Sequence, residues 1–187
     1  MAQTSHLKSA QLTALDTVTP SLADVQNAGN GAPARTITVS GSSATVSADN
    51  TGSTYQLVRV PSNAVIKYVG FSAQAMSAGK LSISVYYSSS TNGDGTAPAN
   101  QGLVVPTTGA AFFALDIDCS SAVAQTDETF QNAATAGAYN QSFINKRLWD
   151  ALALASDPGG FFDIVAVCHT TAITTGAPIS LQVEFAE

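Results

Sequence analysis

The sequence predicts a mainly β fold: an antiparallel β-sandwich, jelly-roll or Greek-key like, with one short helix and an extended N-terminal arm. Three observations predict it. After residue 35, apolar residues alternate with period two through most of the chain. Gly, Pro, Asn and Asp recur between the alternating runs, with no βαβ rhythm. The 187 residues include 31 Ala and 41 Ser plus Thr but only 11% charged residues, so a core can be buried under a surface of hydroxyls and methyls. A closed barrel is the alternative architecture. The low charge excludes a coiled coil, which needs charged flanking positions. A 45% hydrophobic share argues against simple disorder. Thirteen acids against seven bases, a net charge of -6, argue against nucleic-acid or anionic-membrane partners. No apolar run approaches the roughly 18 residues of a membrane helix. Met1-Ala2-Gln3-Thr4-Ser5-His6 lacks the basic and apolar regions of a signal peptide, so synthesis in the cytoplasm without ordinary export is expected.

Two parts are expected: an arm over 1–34 and a sandwich over 35–187. The arm holds spaced apolar residues, Leu7, Leu12, Leu15, Val18, Leu22 and Val25, and ends in a Gly- and Pro-containing link. Leu7 to Leu15 has room for one or two helical turns, and Thr19-Pro20 stops any continuation. Thirty extended residues reach on the order of 100 Å. The segment is either a disordered tail or an arm ordered by neighbouring subunits; the anchor-like spacing favours the arm.

In the body, Thr36-Ile37-Thr38-Val39-Ser40, a turn at Gly41-Ser42-Ser43 and Ala44-Thr45-Val46-Ser47 read as a hairpin. Tyr55 to Val60 is a strand closed by Pro61-Ser62-Asn63. Val65 to Phe71 follows, with Val65, Lys67, Val69 and Phe71 on one face. In Lys80 to Tyr87, Leu81, Ile83, Val85 and Tyr87 face inward, while Lys80, Ser82, Ser84 and Tyr86 form a wet face. Ser88 to Thr96 is a polar loop tip, and Gln101 to Val105 a short edge piece. Phe113, Leu115 and Ile117 share a strand face that Cys119 continues. Residues 120–141 read as a long loop with scope for local structure. Phe143 to Ala155 is the persuasive helix, with Ile144, Leu148 and Leu152 on one stripe, Trp149 beside it, and Ser142 or Asn140 as its cap. Ser156-Asp157-Pro158-Gly159-Gly160 ends it. Phe161 to His169 is nearly all apolar, hence central, and Ile179, Leu181, Val183 and Phe185 alternate in the last strand.

Chemistry is sparse. The two histidines are His6 in the arm and His169 at a strand end. His169 reads as a structural histidine, because its neighbour Cys168 points to the opposite face. Asp116 and Asp118 point the same way, a pattern that suits calcium or a shared proton but is also that of a wet strand face. Asn92-Gly93-Asp94-Gly95 is a plain turn without the alternate carboxylates of a calcium loop. Cys119 and Cys168 can meet only if their strands adjoin. Tyr55, Tyr68, Tyr86, Tyr87, Tyr139 and Trp149 are candidates for an interface, Tyr86 equally for cross-strand packing and Trp149 for pinning the helix. No phosphate loop, zincin motif or nucleophile elbow is present, so no catalytic, cofactor-binding or metal residue is expected.

The segment Tyr55-Gln56-Leu57-Val58-Arg59-Val60-Pro61-Ser62-Asn63-Ala64-Val65-Ile66-Lys67 resembles "Y-x-L-x-R-V/I-P-S-N-A-x-I/V" of small structural proteins of tailed bacteriophages, encoded beside the major capsid protein. Leu148-Trp149-Asp150-Ala151-Leu152, followed by Asp157-Pro158-Gly159-Gly160-Phe161-Phe162-Asp163, resembles that family's "L-W-E-A-L-G-L-x-x-D-P-G-G-x-Y-D". The likeness covers most of 50–187 in order, with these two segments distinctive. It implies a virion protein on the outer capsid surface, of decoration or cement type. The implied partner is the major capsid protein, with self-association for which a trimer fits local symmetry. It implies that Pro61, Ser62 and Asn63 set a tight turn, that Asp157, Pro158, Gly159 and Gly160 stop the helix, and that no catalytic residue or cofactor carries over. Residues 120–141 have no counterpart in it. The competing classes are a receptor- or glycan-binding module of a head fibre or tail, and a head–tail connector component.

Overall fold

The computed structural model of the chain describes residues 6–8, 36–87, 103–105, 112–131 and 143–187. The described strands are β1 (His6–Lys8), β2 (Thr36–Ala44), β3 (Thr54–Pro61), β4 (Val65–Ala73), β5 (Lys80–Tyr87), β6 (Leu103–Val105), β7 (Ala114–Asp118), β8 (Val123–Asp127), β9 (Phe161–Cys168) and β10 (Pro178–Ala186), with one helical turn, α1 (Leu148–Ala151). One sheet runs β1-β3-β9-β5-β6, with β7 also on β5; the other runs β2-β10-β4-β8. The β1–β3 pair is parallel and the other described pairs are antiparallel. The body strands β2, β4, β8 and β10 lie in one sheet and β3, β5, β7 and β9 in the other, so the chain crosses repeatedly between them. The mainly β sandwich with one short helix is the fold that the alternation predicts.

The core lies between the sheets. Leu57, Ile83 and Ile164 of one sheet and Val69, Phe71, Leu181 and Val183 of the other belong to a single buried cluster. Each removes roughly 1.5–3 kcal/mol worth of apolar side chain from water, the main favourable term. Phe112, Phe113, Phe130 and Phe143 add an aromatic cluster with centroids 4.9 to 6.0 Å apart. As expected, β9 is central, paired on both sides, and buried from Phe162 to Cys168. In β10, Ile179, Leu181, Val183 and Phe185 are buried between half-buried neighbours.

Several expectations are corrected. There is no hairpin at Gly41-Ser42-Ser43: β2 continues through it, and Gly41 pairs with Leu181. A nine-residue partner strand outweighs the local turn signal. In β4 the inward face is Ile66, Val69, Phe71 and Ala73 rather than Val65 and Lys67. A bulge opposite Glu184 and Phe185 absorbs Lys67 and flips the parity. In β7 a second register shift, with Asp116 at φ 52, turns Leu115 out to 46% exposure. The expected helix over 143–155 is a single turn. Asn145 at φ 63 interrupts it upstream. Downstream, Ala153 at φ 56 donates its N–H to Asp150 O and Leu154 N–H goes to Trp149 O, a Schellman closure four residues before Asp157. Ile144 is therefore exposed, while Leu148 and Leu152 are buried. The proposed caps Ser142 and Asn140 lie outside the described residues, and no side chain caps the helix at Arg147. The segment read as a loop over 120–141 contains β8, paired with β4.

The expected wet face of β5 is also corrected. Ser82, Ser84 and, on β9, Asp163 are fully buried, and Gln56 is 5% exposed. Much of this polar outer layer is bonded: Arg59 holds Asp163 through Nε and Nη2 at 2.7 and 3.1 Å, and Asp116 N donates to Ser82 Oγ at 3.0 Å, whereas Gln56 Oε1 is buried without a partner among the described residues.

Of the segment read as an arm, His6–Lys8 forms β1, with Leu7 opposite Tyr55. Leu12, Leu15, Val18, Leu22 and Val25 lie outside the described residues, as do the loop tip 88–96 and Tyr139. No helix among the described residues is long and apolar enough to cross a membrane.

Candidate functional site

The two segments that resemble phage structural proteins meet in one junction. β3 ends at Pro61, and Ala64 N donates to Pro61 O at 3.1 Å to close the turn over Ser62 and Asn63. Ser62 is 3% exposed and uses three groups. Its N–H donates to Gly160 O at 3.0 Å, its Oγ donates to Asp157 Oδ1 at 2.6 Å, and its carbonyl accepts from Trp149 N at 3.1 Å. Ala64 O accepts from Leu148 N at 2.8 Å. The turn's carbonyls thus satisfy the first N–H groups of α1, the task a capping side chain performs elsewhere. Asp157 Oδ1 also accepts from Gly159 N at 2.9 Å. Gly159 and Gly160, at φ 69 and 75, hold a left-handed backbone that a Cβ disfavours. Pro158 stands between these anchors, and Asn63 is exposed at the tip of the turn.

His169 Nδ1 lies 2.8 Å from Asp116 Oδ1, which also accepts from Thr170 Oγ1 at 3.1 Å. Asp118 accepts instead from Ser120, and that hydrogen bonding holds its carboxyl below the usual range. The positive φ of Asp116 therefore sends the two carboxylates to different partners. Among the described residues no group of three His, Cys, Asp or Glu is placed to hold a metal.

Both cysteines are free and buried. β5 lies between β7 and β9, pairing Leu81 with both Ile117 and Cys168. Two strand spacings, about 9.6 Å, exceed the reach of a disulfide. Burial pushes the Cys119 thiol up to about 11. Tyr55 is a core residue rather than an interface one. Its hydroxyl donates to the buried Asp49 Oδ2 at 2.5 Å, and burial first, then Asp49, raises its ionisation well above the usual range.

The outer face of the second sheet was not singled out from sequence. A shallow groove of about 320 Å³ crosses it, lined by Ser40, Ser42, Ser72, Ser180, Gln125 and Gln182. Ser72 and Ser180 share a 2.6 Å hydrogen bond, and Gln125 Nε2 donates to Gln182 Oε1 at 3.0 Å. Gly70 makes room here: a Cβ would lie 2.6 Å from Tyr68 Oη and 2.8 Å from Gln125 Nε2. The available signal was the hydroxyl at every second position of β2, Thr36, Thr38, Ser40 and Ser42, facing Ser180 and Gln182 of β10.

No protein-family model and no curated protein matches the chain. Among solved structures it is similar to a chain of the "Cyanophage Pam1 capsid asymmetric unit", with a TM-score of 0.39 and 13% identity, covering 91% of this chain and 99% of that chain.

Proposed function

We propose that this chain is a virion structural protein that decorates and cements a phage capsid from its outer surface, binding across major capsid protein subunits. The observation that carries the reading is the junction at Ser62. The two segments with a phage-protein likeness are one packed unit, joined through Trp149, Asp157 and Gly160, so the likeness lies in a supporting element and not in a reactive centre. The alternation of body strands between the sheets supports reading the body as a jelly roll. β2 and β10 carry Glu184 as their single charged residue, and their exposed hydroxyls and amides suit broad protein contact better than a phosphate backbone. Contacts of about 800 Å² per partner, repeated by symmetry, stiffen a shell without catalysis. A trimer assembled on the shell at a local symmetry axis and an arm over 1–34 that crosses a seam complete the reading.

The test mixes the purified chain with shells built from the major capsid protein encoded beside it. Saturable co-sedimentation in hundreds of copies is expected, with density on the outer surface in a map of the particle and a higher temperature of shell opening. Removing residues 1–34 should weaken binding and leave the body folded. Absence of binding to those shells overturns the reading. The polar groove on the second sheet favours one other reading, a glycan-binding module of a head fibre or tail. Glycan-array hits lost on Gln182→Ala would select it.

A further inference from the structure

The edges of the two sheets are not alike. β1 covers the outer edge of β3. β6 and β7 share the outer edge of β5, and β7 is short, carries Asp116 and Asp118, and is kinked by a register shift. β8 has five residues, a register shift against β4 and a terminal Asp127. Among the described residues, β2 has none of these devices. Its nine residues hold no charge and no Pro, and they pair with β10 without a break, from Thr36 opposite Ala186 to Ala44 opposite Pro178. Sheet proteins blunt such edges with Lys, Pro, bulges or covering segments, because unpaired N–H and C=O groups template a further strand. Ile37 and Val39 on β2 pack on the core yet stay only half-buried.

We propose that β2 is a self-pairing edge: two copies of this chain join β2 to β2 antiparallel, about a two-fold axis at Ser40. The register centred there pairs all nine residues and merges two four-stranded sheets into one of eight. It sets Thr38 opposite the partner's Ser42 and Ser40 opposite its own copy, hydroxyl pairs that favour cross-strand contact. A second copy fits better than a charged partner because β2 offers no charge to steer or repel one. A two-fold interface must be self-complementary, and an uncharged strand meets its own copy without like charges in opposition. Strand pairing alone buries an area at the low end for specific contacts, so the dimer dissociates on dilution.

The test uses the full isolated chain, so its failure leaves the capsid reading untouched. Sedimentation equilibrium should show a concentration-dependent dimer. Ser40→Lys, which sets like charges across the axis, should weaken it at least tenfold with unchanged thermal unfolding. Gln125→Lys on β8 should leave it intact. Ser40→Cys should give an oxidised, cross-linked dimer, since paired β-carbons lie about 4.5–5.5 Å apart, while Cys119 and Cys168 are buried. A monomer at every concentration, a dimer indifferent to Ser40→Lys, or no cross-link at Ser40→Cys overturns the proposal.

Discussion

Ser62 Oγ donates a 2.6 Å hydrogen bond to Asp157 Oδ1 across 95 positions of sequence. That bond ties the β3–β4 turn to the segment entering β9, while Trp149 and Gly160 close on the same serine. Replacing either partner should cost about 1 kcal/mol for the lost bond, more for Asp157→Ala because Gly159 N also loses its acceptor. In urea denaturation, Ser62→Ala and Asp157→Ala should combine non-additively, with a coupling of about 1 kcal/mol. Additive effects would show that the two residues act independently.

Arg59 and Asp163 form a buried two-bond ion pair, their side chains 6% and 0% exposed. Arg59→Met leaves a buried carboxylate behind and should cost about 3–5 kcal/mol. The double variant Arg59→Met with Asp163→Leu should recover much of that loss, because it also removes the carboxylate that Arg59 holds. A double variant no more stable than Arg59→Met would count against the pair as the cause.

Ala153 closes α1 in a left-handed conformation with φ 56. Glycine takes that conformation without the Cβ penalty, so Ala153→Gly should stabilise the protein by about 0.5–1 kcal/mol. Thermal unfolding checks the sign, and a lower melting temperature contradicts it.

Burial lifts the Cys119 thiol from 9.0 to about 11 and pushes Cys168 and Tyr55 upward as well. The folded chain therefore holds these protons more tightly than the unfolded one. The stabilisation is whole below about pH 9 and is lost as pH rises through 11. The urea midpoint should fall across that interval, and Cys119→Ala should flatten part of the slope. A midpoint independent of pH from 9 to 11 would refute the assignment.

Much of the fold was legible in the residues. The alternation in β10 and the apolar run in β9 mark an inner face and a central strand, because burial imposes period two along a half-buried strand and removes it from one covered on both sides. Pro61-Ser62-Asn63 was legible as a turn from its own backbone chemistry, while Asp157-Pro158-Gly159-Gly160, read as the helix stop, lies beyond the closure at Ala153. Their contact was not legible, since nothing local to Ser62 names Asp157. The single turn of α1 escaped because Asn145 and Ala153 adopt positive φ, which the apolar spacing of the segment does not announce. The buried Ser82 and Ser84 escaped because a polar face is read as wet until its hydrogen-bond partners are known. The pairing of His169 with Asp116 depends on the bulge in β7, which no spacing announces.

By itself, the sequence determined that this chain folds as strands around an apolar core, with few charges and hydroxyl-rich surfaces, because side-chain alternation is a local property. Only the tertiary structure decided which strands pair, where bulges at Lys67 and Asp116 reverse a face, and that β2 has β10 as its one partner strand among the described residues. Register is a relation between strands distant in the chain, and its energy appears only when both are in place.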